Sequence, residues 1–201
     1  MATNRIGTRI EKLIADGDWA SARNAIEKHL DHEPDDHWLW SRLSAVKHEQ
    51  RDYQGALEAA NKALEIVPDC PLALWSYAGA LDMLGRTTEA GKIYARLLRR
   101  GLEELNKPDD DAEECWEGPD WTRGLVVDCI FRSARCLEKI GEKDMAVELY
   151  RHFLNQLLFG IQGIHSRKDA VARLKKLAPT KNGKPEAAMK RTVKELQEIM
   201  G

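Results

Sequence analysis

A period of 34 residues constrains the fold of this chain more than any other feature. Pro34 is followed by Pro68, Trp19 by Tyr53, and Ala22 by Ala56 and Ala90, each at that spacing. The segment DWASARNAIEKHLDHEPDD aligns without a gap on DYQGALEAANKALEIVPDC. A third copy reads RTTEAGKIYARLLRRG. A fourth, EKDMAVELYRHFLNQ, follows an interruption, with Ala146 and Tyr150 matching Ala90 and Tyr94. Self-similarity at this period marks a repeat architecture. The unit is a helical hairpin: Ile6, Ile10, Leu13 and Ile14 fall on one helical stripe, and Trp19, Ala22, Ile26 and Leu30 on a second. Asp16-Gly17-Asp18 separates the two. Strand signals are missing, with no alternating β-branched runs and no Asn-Gly turn between two such runs.

In residue type and spacing these copies resemble the tetratricopeptide repeat family, whose pattern is W-x2-L-G-x2-Y, then A-x3-F, then P. The second copy supplies Trp40, Leu43, Ser44, Ala56 and Pro68. The third supplies Leu74, Tyr77, Ala78, Leu81, Gly85, Ala90 and Tyr94, and the fourth Ile130, Ala134, Leu137, Gly141, Ala146 and Tyr150. The resemblance covers residues 4–102 and about 122–158. It implies an all-α, right-handed α-solenoid of about four helix–turn–helix repeats with C-terminal capping helices. The expected division is 4–104 for three repeats, 105–121 for an acidic connector, 122–158 for the fourth repeat and 159–201 for basic C-terminal helices. A two-helix repeat cannot bury its apolar face alone, so it stacks on its neighbours. Two departures stand out. Lys47 occupies an aromatic position, and Leu102 stands where the closing proline belongs, so the second helix of the third repeat is expected to run on toward Glu104 and Leu105.

Trp38 and Trp40 pose the functional question. Residues two apart on an α-helix point about 200° from each other. Trp40 takes the family's structural position against its partner helix, so Trp38 must face elsewhere. In the stack that the resemblance implies, first helices line a concave inner surface. Carrying the phase forward places Trp38, Ser41, Ala45, His48 and Glu49 there, then Leu72, Trp75, Gly79, Asp82 and Met83, then Asp128, Phe131, Arg135 and Glu138. Aromatics rimmed by charges are what an interface hot spot looks like. The candidate partner-binding residues are therefore Trp38, Ser41, His48, Trp75, Asp82, Phe131 and Arg135. The competing reading is that the acidic insert or the C-terminal segment covers these side chains. Some members of the family grip acidic peptide C-termini with a Lys, Asn and Arg clamp. The corresponding places here hold Gly7, Glu11, Ser41, Ala45, Leu72 and Ser76, so that activity is not expected.

The net charge of −2 conceals two blocks. Residues 102–120 carry nine acids against Lys107, and residues 160–201 carry ten bases against four acids. Such blocks steer partners or pair with each other. In the insert, Pro108 and Pro119 interrupt helix, a short helical turn is expected near 109–116, and a long helix is expected from about 120 with Asp120 as its cap. Trp116 and Trp121 flank the bend, either anchoring a packed connector or forming an acidic, aromatic ledge for a basic partner. After the fourth repeat, residues 164–178 read as an amphipathic helix with Ile164, Val171, Leu174 and Leu177 inward. APTKNGK reads as a linker, and residues from Pro185 to Met200 as a last helix.

Chemistry is sparse. There is no Walker loop and no Gly-x-Ser-x-Gly elbow. Cys70, Cys115, Cys129 and Cys136 include no C-x-x-C pair, and read as reduced, mostly buried thiols. Cys129 and Cys136, seven apart, share one helix face. His29, His32 and His37 lie close in sequence, but no further ligand is spaced to make a metal site with them, so neither metal nor cofactor is expected. The basic tail permits phosphate contacts, yet residues 160–201 contain no Phe, Tyr or Trp to stack on bases, so nucleic acid is not an expected partner. No apolar run suits a membrane span and MATNRIGTRIEKL has no apolar core, which makes a cytoplasmic address the default expectation. The reading is a noncatalytic adaptor or scaffold that binds a peptide or protein segment in the groove. The alternatives are homo-oligomerisation through the C-terminal helix, or association with nucleic acid through the tail.

Overall fold

The computed structural model describes residues 2–108, 115–158, 160–161 and 164–177, with side chains from Ile6 onward. Among these the chain is all-α, with no strand. The helices are α1 (Ala2–Ala15), α2 (Trp19–Leu30), α3 (His37–Glu49), α4 (Tyr53–Ile66), α5 (Pro71–Met83), α6 (Thr87–Glu104), α7 (Pro119–Ile140), α8 (Lys143–Leu158) and α9 (Arg167–Leu177). Each packs on the next in chain order, and α3 also packs on α5. That pattern is a solenoid of antiparallel hairpins, with nearest-neighbour contacts in place of one central core.

The 34-residue period sets the turns as well as the helices. Residues 17, 51 and 85 each carry a positive φ, at 73°, 64° and 81°, and each ends the turn between the two helices of a hairpin. Two are glycines; the second repeat forces Arg51 into the left-handed region that side chains disfavour. Helix starts repeat too. Asp18 caps α2 through the Ser21 N–H, and Asp52, 34 residues later, caps α4 through the Gly55 N–H. Asp36 caps α3 by accepting from the Trp38 and Leu39 N–H groups. The equivalent cap of α5 is Cys70, whose side chain makes no capping bond.

Small residues let the helices close up. Ser44, fully buried, donates its hydroxyl to the Ala56 carbonyl at 2.8 Å, which joins α3 to α4. Ala56, Ala59, Ala60 and Ala63 form the buried face of α4. Tyr94 and Tyr150 fill the aromatic position of the third and fourth repeats, both fully buried. Trp40 and Trp38 are both half-buried and touch the same two apolar clusters, so the expected split between a core and a surface tryptophan does not hold. The Trp40 indole donates to the Pro34 carbonyl at 2.7 Å.

With no proline at Leu102, α6 runs to Glu104. The connector then anchors through tryptophan: Trp116 is buried beside Gly101 of α6, which Val126 of α7 also approaches closely, and meets Trp121 edge-to-face. α7 begins at Pro119 behind a Gly118 cap, so Asp120 is a first-turn acid paired with Arg123 and not the cap. The expected turn near 109–116 falls mainly outside the described residues. α9 starts behind Ser166, whose Oγ accepts from the Asp169 N–H while the Asp169 carboxylate accepts from the Ser166 N–H, a reciprocal capping box. Ala170 is its fully buried contact; Ile164, expected inward, is 71% exposed because it precedes the helix. The expected linker and last helix lie outside the described residues.

Candidate functional site on the inner face

The stripes predicted for α3, α5 and α7 do lie side by side. A Cβ placed on Gly79 of α5 would sit 4.0 Å from His48 Nε2 of α3 and 3.7 Å from the Tyr94 hydroxyl beneath. The Trp75 indole of α5 donates to Asp128 of α7 at 2.6 Å. Asp82 of α5 pairs with Lys139 at 2.6 Å and reaches Arg135 at 3.8 Å, both on α7. The inner face is thus laced across the repeats by charge and hydrogen bonds.

That lacing changes the status of several candidates. Ser41 is fully buried, its hydroxyl bonded to the His37 carbonyl one turn earlier at 2.8 Å. Asp82 is 8% exposed. Phe131, expected on the open surface, is 2% exposed: it packs edge-on to Tyr150 and Phe153 and stacks on His165 at a centroid distance of 4.0 Å. The chain itself covers this ring, because the segment leading into α9 folds back over α7. Trp38, His48, Trp75 and Arg135 remain half-buried.

The most concentrated electrostatics surround Asp128, which is 1% exposed. Its carboxylate accepts from Trp75 Nε1 and from Arg132 Nε, each at 2.6 Å, and His165 Nε2 lies 3.2 Å from its other oxygen. Arg132 also stacks over the Trp75 ring at 4.6 Å and approaches the Tyr94 hydroxyl at 3.4 Å. Burial pushes the Asp128 carboxyl upward, but His165, Arg132 and Trp75 outweigh it and hold it below the ordinary aspartate value. Burial likewise drives the Tyr94 phenol well up, against the pull of Arg132. Asp128 was visible as a stripe residue; Arg132 and His165 were not, since nothing in their local pattern says that a turn of α7 and a later loop meet at one carboxylate.

Two of the clefts among the described residues are lined by candidate residues. One, about 380 Å³, lies between α7 and α9 and is lined by Phe131, Arg135, Glu138, His165, Arg173 and Lys176 among others. The Arg135 Nε is buried and has no hydrogen-bond partner within the protein. The other, about 510 Å³, includes Gly7 and Glu11 of α1, His29 and Glu33, and Trp38 of α3. Trp38 there lies under Arg42, which pairs with Glu11 at 2.6 Å and with Glu117 of the connector at 3.7 Å.

His29 bonds back to the Ala25 carbonyl within its own helix. Among the described residues one group can hold a metal: His37, Cys70 and Cys115, whose donor atoms all lie within 4.8 Å of one another. Sequence reasoning missed it because its members are 33 and 45 residues apart. The only local hint was a cysteine at the α5 cap where the preceding repeat has Asp36.

A helical repeat stack with a laced inner face belongs to the class of solenoid interaction proteins. The tetratricopeptide repeat profile matches residues 11–69 and 46–101, and a second one, described as Tetratrico peptide repeat, matches residues 128–200. Together they span most of the chain, which belongs to the tetratricopeptide repeat family. Solved structures share the fold at low identity. A crystal structure of MamA aligns with TM-score 0.63 at 16% identity, covering 95% of this chain and 96% of that one. The MamA RS-1 ArsTM double mutant gives 0.65 at 12%, covering 98% and 95%. YrrB, described as a TPR protein with an unusual peptide-binding site, gives 0.57 at 15%, covering 84% and 72%. Among the described residues no helix is long and apolar enough to cross a membrane.

Proposed function

We propose that the protein is a noncatalytic interaction module, an adaptor or scaffold, that binds an extended peptide or protein segment along the inner faces of α3, α5 and α7. Trp38, His48, Trp75 and Arg135 make the contact; Ser41, Asp82 and Phe131 lie beneath and set their positions. One observation carries the reading. Arg135 stands at the cleft between α7 and α9 with only a long 3.8 Å link to Asp82, whose nearer partner is Lys139. Its guanidinium therefore keeps donors to offer a peptide carbonyl or carboxylate. Arg173 and Lys176 pair there with Glu138, and the cleft lining sets Arg135, Arg173 and Lys176 against Glu138 and Asp169, which leaves one positive charge in excess for an acidic segment. The family's repeat surfaces and the peptide-binding site in the description of YrrB agree with this reading at the level of fold.

The test is a displayed library of random peptides selected on the protein. Peptides enriched on wild type should lose at least tenfold in affinity on Arg135→Glu and keep it on Arg151→Glu, an exposed position of α8. Enriched peptides that bind Arg135→Glu as well as wild type would place the ligand elsewhere and end the proposal.

A further inference from the structure

The His37, Cys70 and Cys115 cluster sits where the connector meets the edge of the stack. His37 is the first residue of α3, Cys70 occupies the N-cap position of α5, and Cys115 belongs to the connector just before Trp116. Cys115 Sγ lies 3.7 Å from His37 Nε2. In a tetrahedral zinc site, with metal–sulfur near 2.3 Å and metal–nitrogen near 2.0–2.1 Å, sulfur and nitrogen are about 3.6 Å apart and two sulfurs about 3.8 Å. The cluster is therefore within about 1 Å of coordinating geometry before any ion draws it together. None of the four cysteines is in a disulfide.

We propose that His37, Cys70 and Cys115 form a three-ligand site for a thiophilic divalent ion of the zinc type. Three observations converge on it. The donor set, two sulfurs and an imidazole, suits zinc and not the oxygen-seeking Mg²⁺ or Ca²⁺. Cys70 replaces the carboxylate cap of the preceding repeat without capping its own helix, so its side chain serves the cluster instead. The surroundings are apolar on one side, since Cys70 is buried and shares a cluster with Trp40, Leu64, Val67, Cys115 and Trp121. His37 and Cys115 are only partly buried, which leaves a path for the ion and room for a fourth ligand from solvent or a partner. Two thiolates neutralise a divalent ion, and binding releases their protons. The N-terminus of α5 accommodates the sulfur charge at its cap. The ion would tie three separate parts of the chain together, clamping the connector to α3 and α5 beside the Arg42–Glu117 pair.

The experiment uses the full chain, reduced and stripped with a chelator, then titrated with Co²⁺ as the spectroscopic probe. One equivalent should bind, with thiolate-to-cobalt charge-transfer absorption in the near ultraviolet, and Zn²⁺ should displace it. Cys70→Ser and Cys115→Ser should each weaken binding at least tenfold and diminish the band. His37→Ala, at a half-buried helix start, should weaken binding with the helical circular dichroism unchanged. The pair Cys129→Ala and Cys136→Ala should leave the band intact. Absence of the charge-transfer band in wild type overturns the proposal, as does a band that survives loss of both Cys70 and Cys115. A Cys70–Cys115 disulfide on mild oxidation, combined with no metal uptake by the reduced chain, overturns it in favour of a redox pair.

Discussion

Replacing Asp128 with alanine removes one of the acceptors that join α5 to α7, and the cost can be worked from its partners. Asp128 accepts from the Trp75 indole and from Arg132 and faces His165 Nε2 at 3.2 Å, and all three are left without it. Breaking a buried ion pair on one side typically costs about 3–5 kcal/mol, because the remaining charge is uncompensated. Here the Arg132 side chain is 16% exposed and keeps its seat over the Trp75 and Tyr94 rings, which places the cost near the lower end. The orphaned indole N–H adds about 1 kcal/mol. Asp128→Ala should therefore lose about 3–4 kcal/mol, a large share of the roughly 5–15 kcal/mol that holds an ordinary domain. Urea unfolding followed by both tryptophan fluorescence and circular dichroism measures it. The discriminating variant is Asp128→Ala combined with Arg132→Met, which removes the stranded charge and should recover at least about 1 kcal/mol of the loss. A single variant that costs less than about 1 kcal/mol, or a double variant at least as unstable as the single, would refute the view that an unpaired guanidinium drives the effect.

Four further outcomes are expected. Asp128 and Glu138 both titrate below their ordinary values in the folded protein; for Glu138, burial pushes upward and Arg173 and Tyr150 prevail. A depressed folded value means the stabilisation is complete above the unfolded value, about 3.9 for Asp and 4.3 for Glu, and is lost as pH falls through the folded value. Unfolding free energy measured from pH 5 downward should fall, and less steeply in Asp128→Asn. Arg51→Gly should raise stability by about 0.5–1 kcal/mol in a urea titration, since glycine relieves the left-handed strain at an exposed position. Gly101→Ala would normally favour a helix interior by about 1 kcal/mol, yet its Cβ would fall 2.5 Å from Val126 Cγ2, so a net loss of about 1–2 kcal/mol is expected, relieved by Val126→Ala. Ser166→Ala should cost about 0.5–2 kcal/mol at the start of α9 and speed amide exchange across residues 167–177 before that of α7, as read by hydrogen exchange.

The repeat length and the helix positions were legible in the sequence because they rest on local rules, while the right-handed stacking was an expectation from the family resemblance. Apolar side chains recurring at helical spacing, Asp18, Asp36 and Asp52 at helix starts, and Gly17 and Gly85 at left-handed turns act within a few residues of themselves. So the stripe holding His48, Trp75, Asp82 and Arg135 could be drawn on one face before any coordinates. Whether a member of that stripe would stay open could not be drawn. Trp75 meets Asp128 across 53 residues, and the aperiodic insert lies between them in sequence, so no period reports the pairing. Phe131 is covered because His165 returns from beyond α8, and Cys115 reaches His37 across 78 residues because the connector turns back along the edge of the stack. Helix formation and hairpin closure are decided by neighbours in sequence. Burial, ion pairing and ligand clustering are decided by what the folded chain brings alongside, and in this protein the insert and the segment leading into α9 supply that decision.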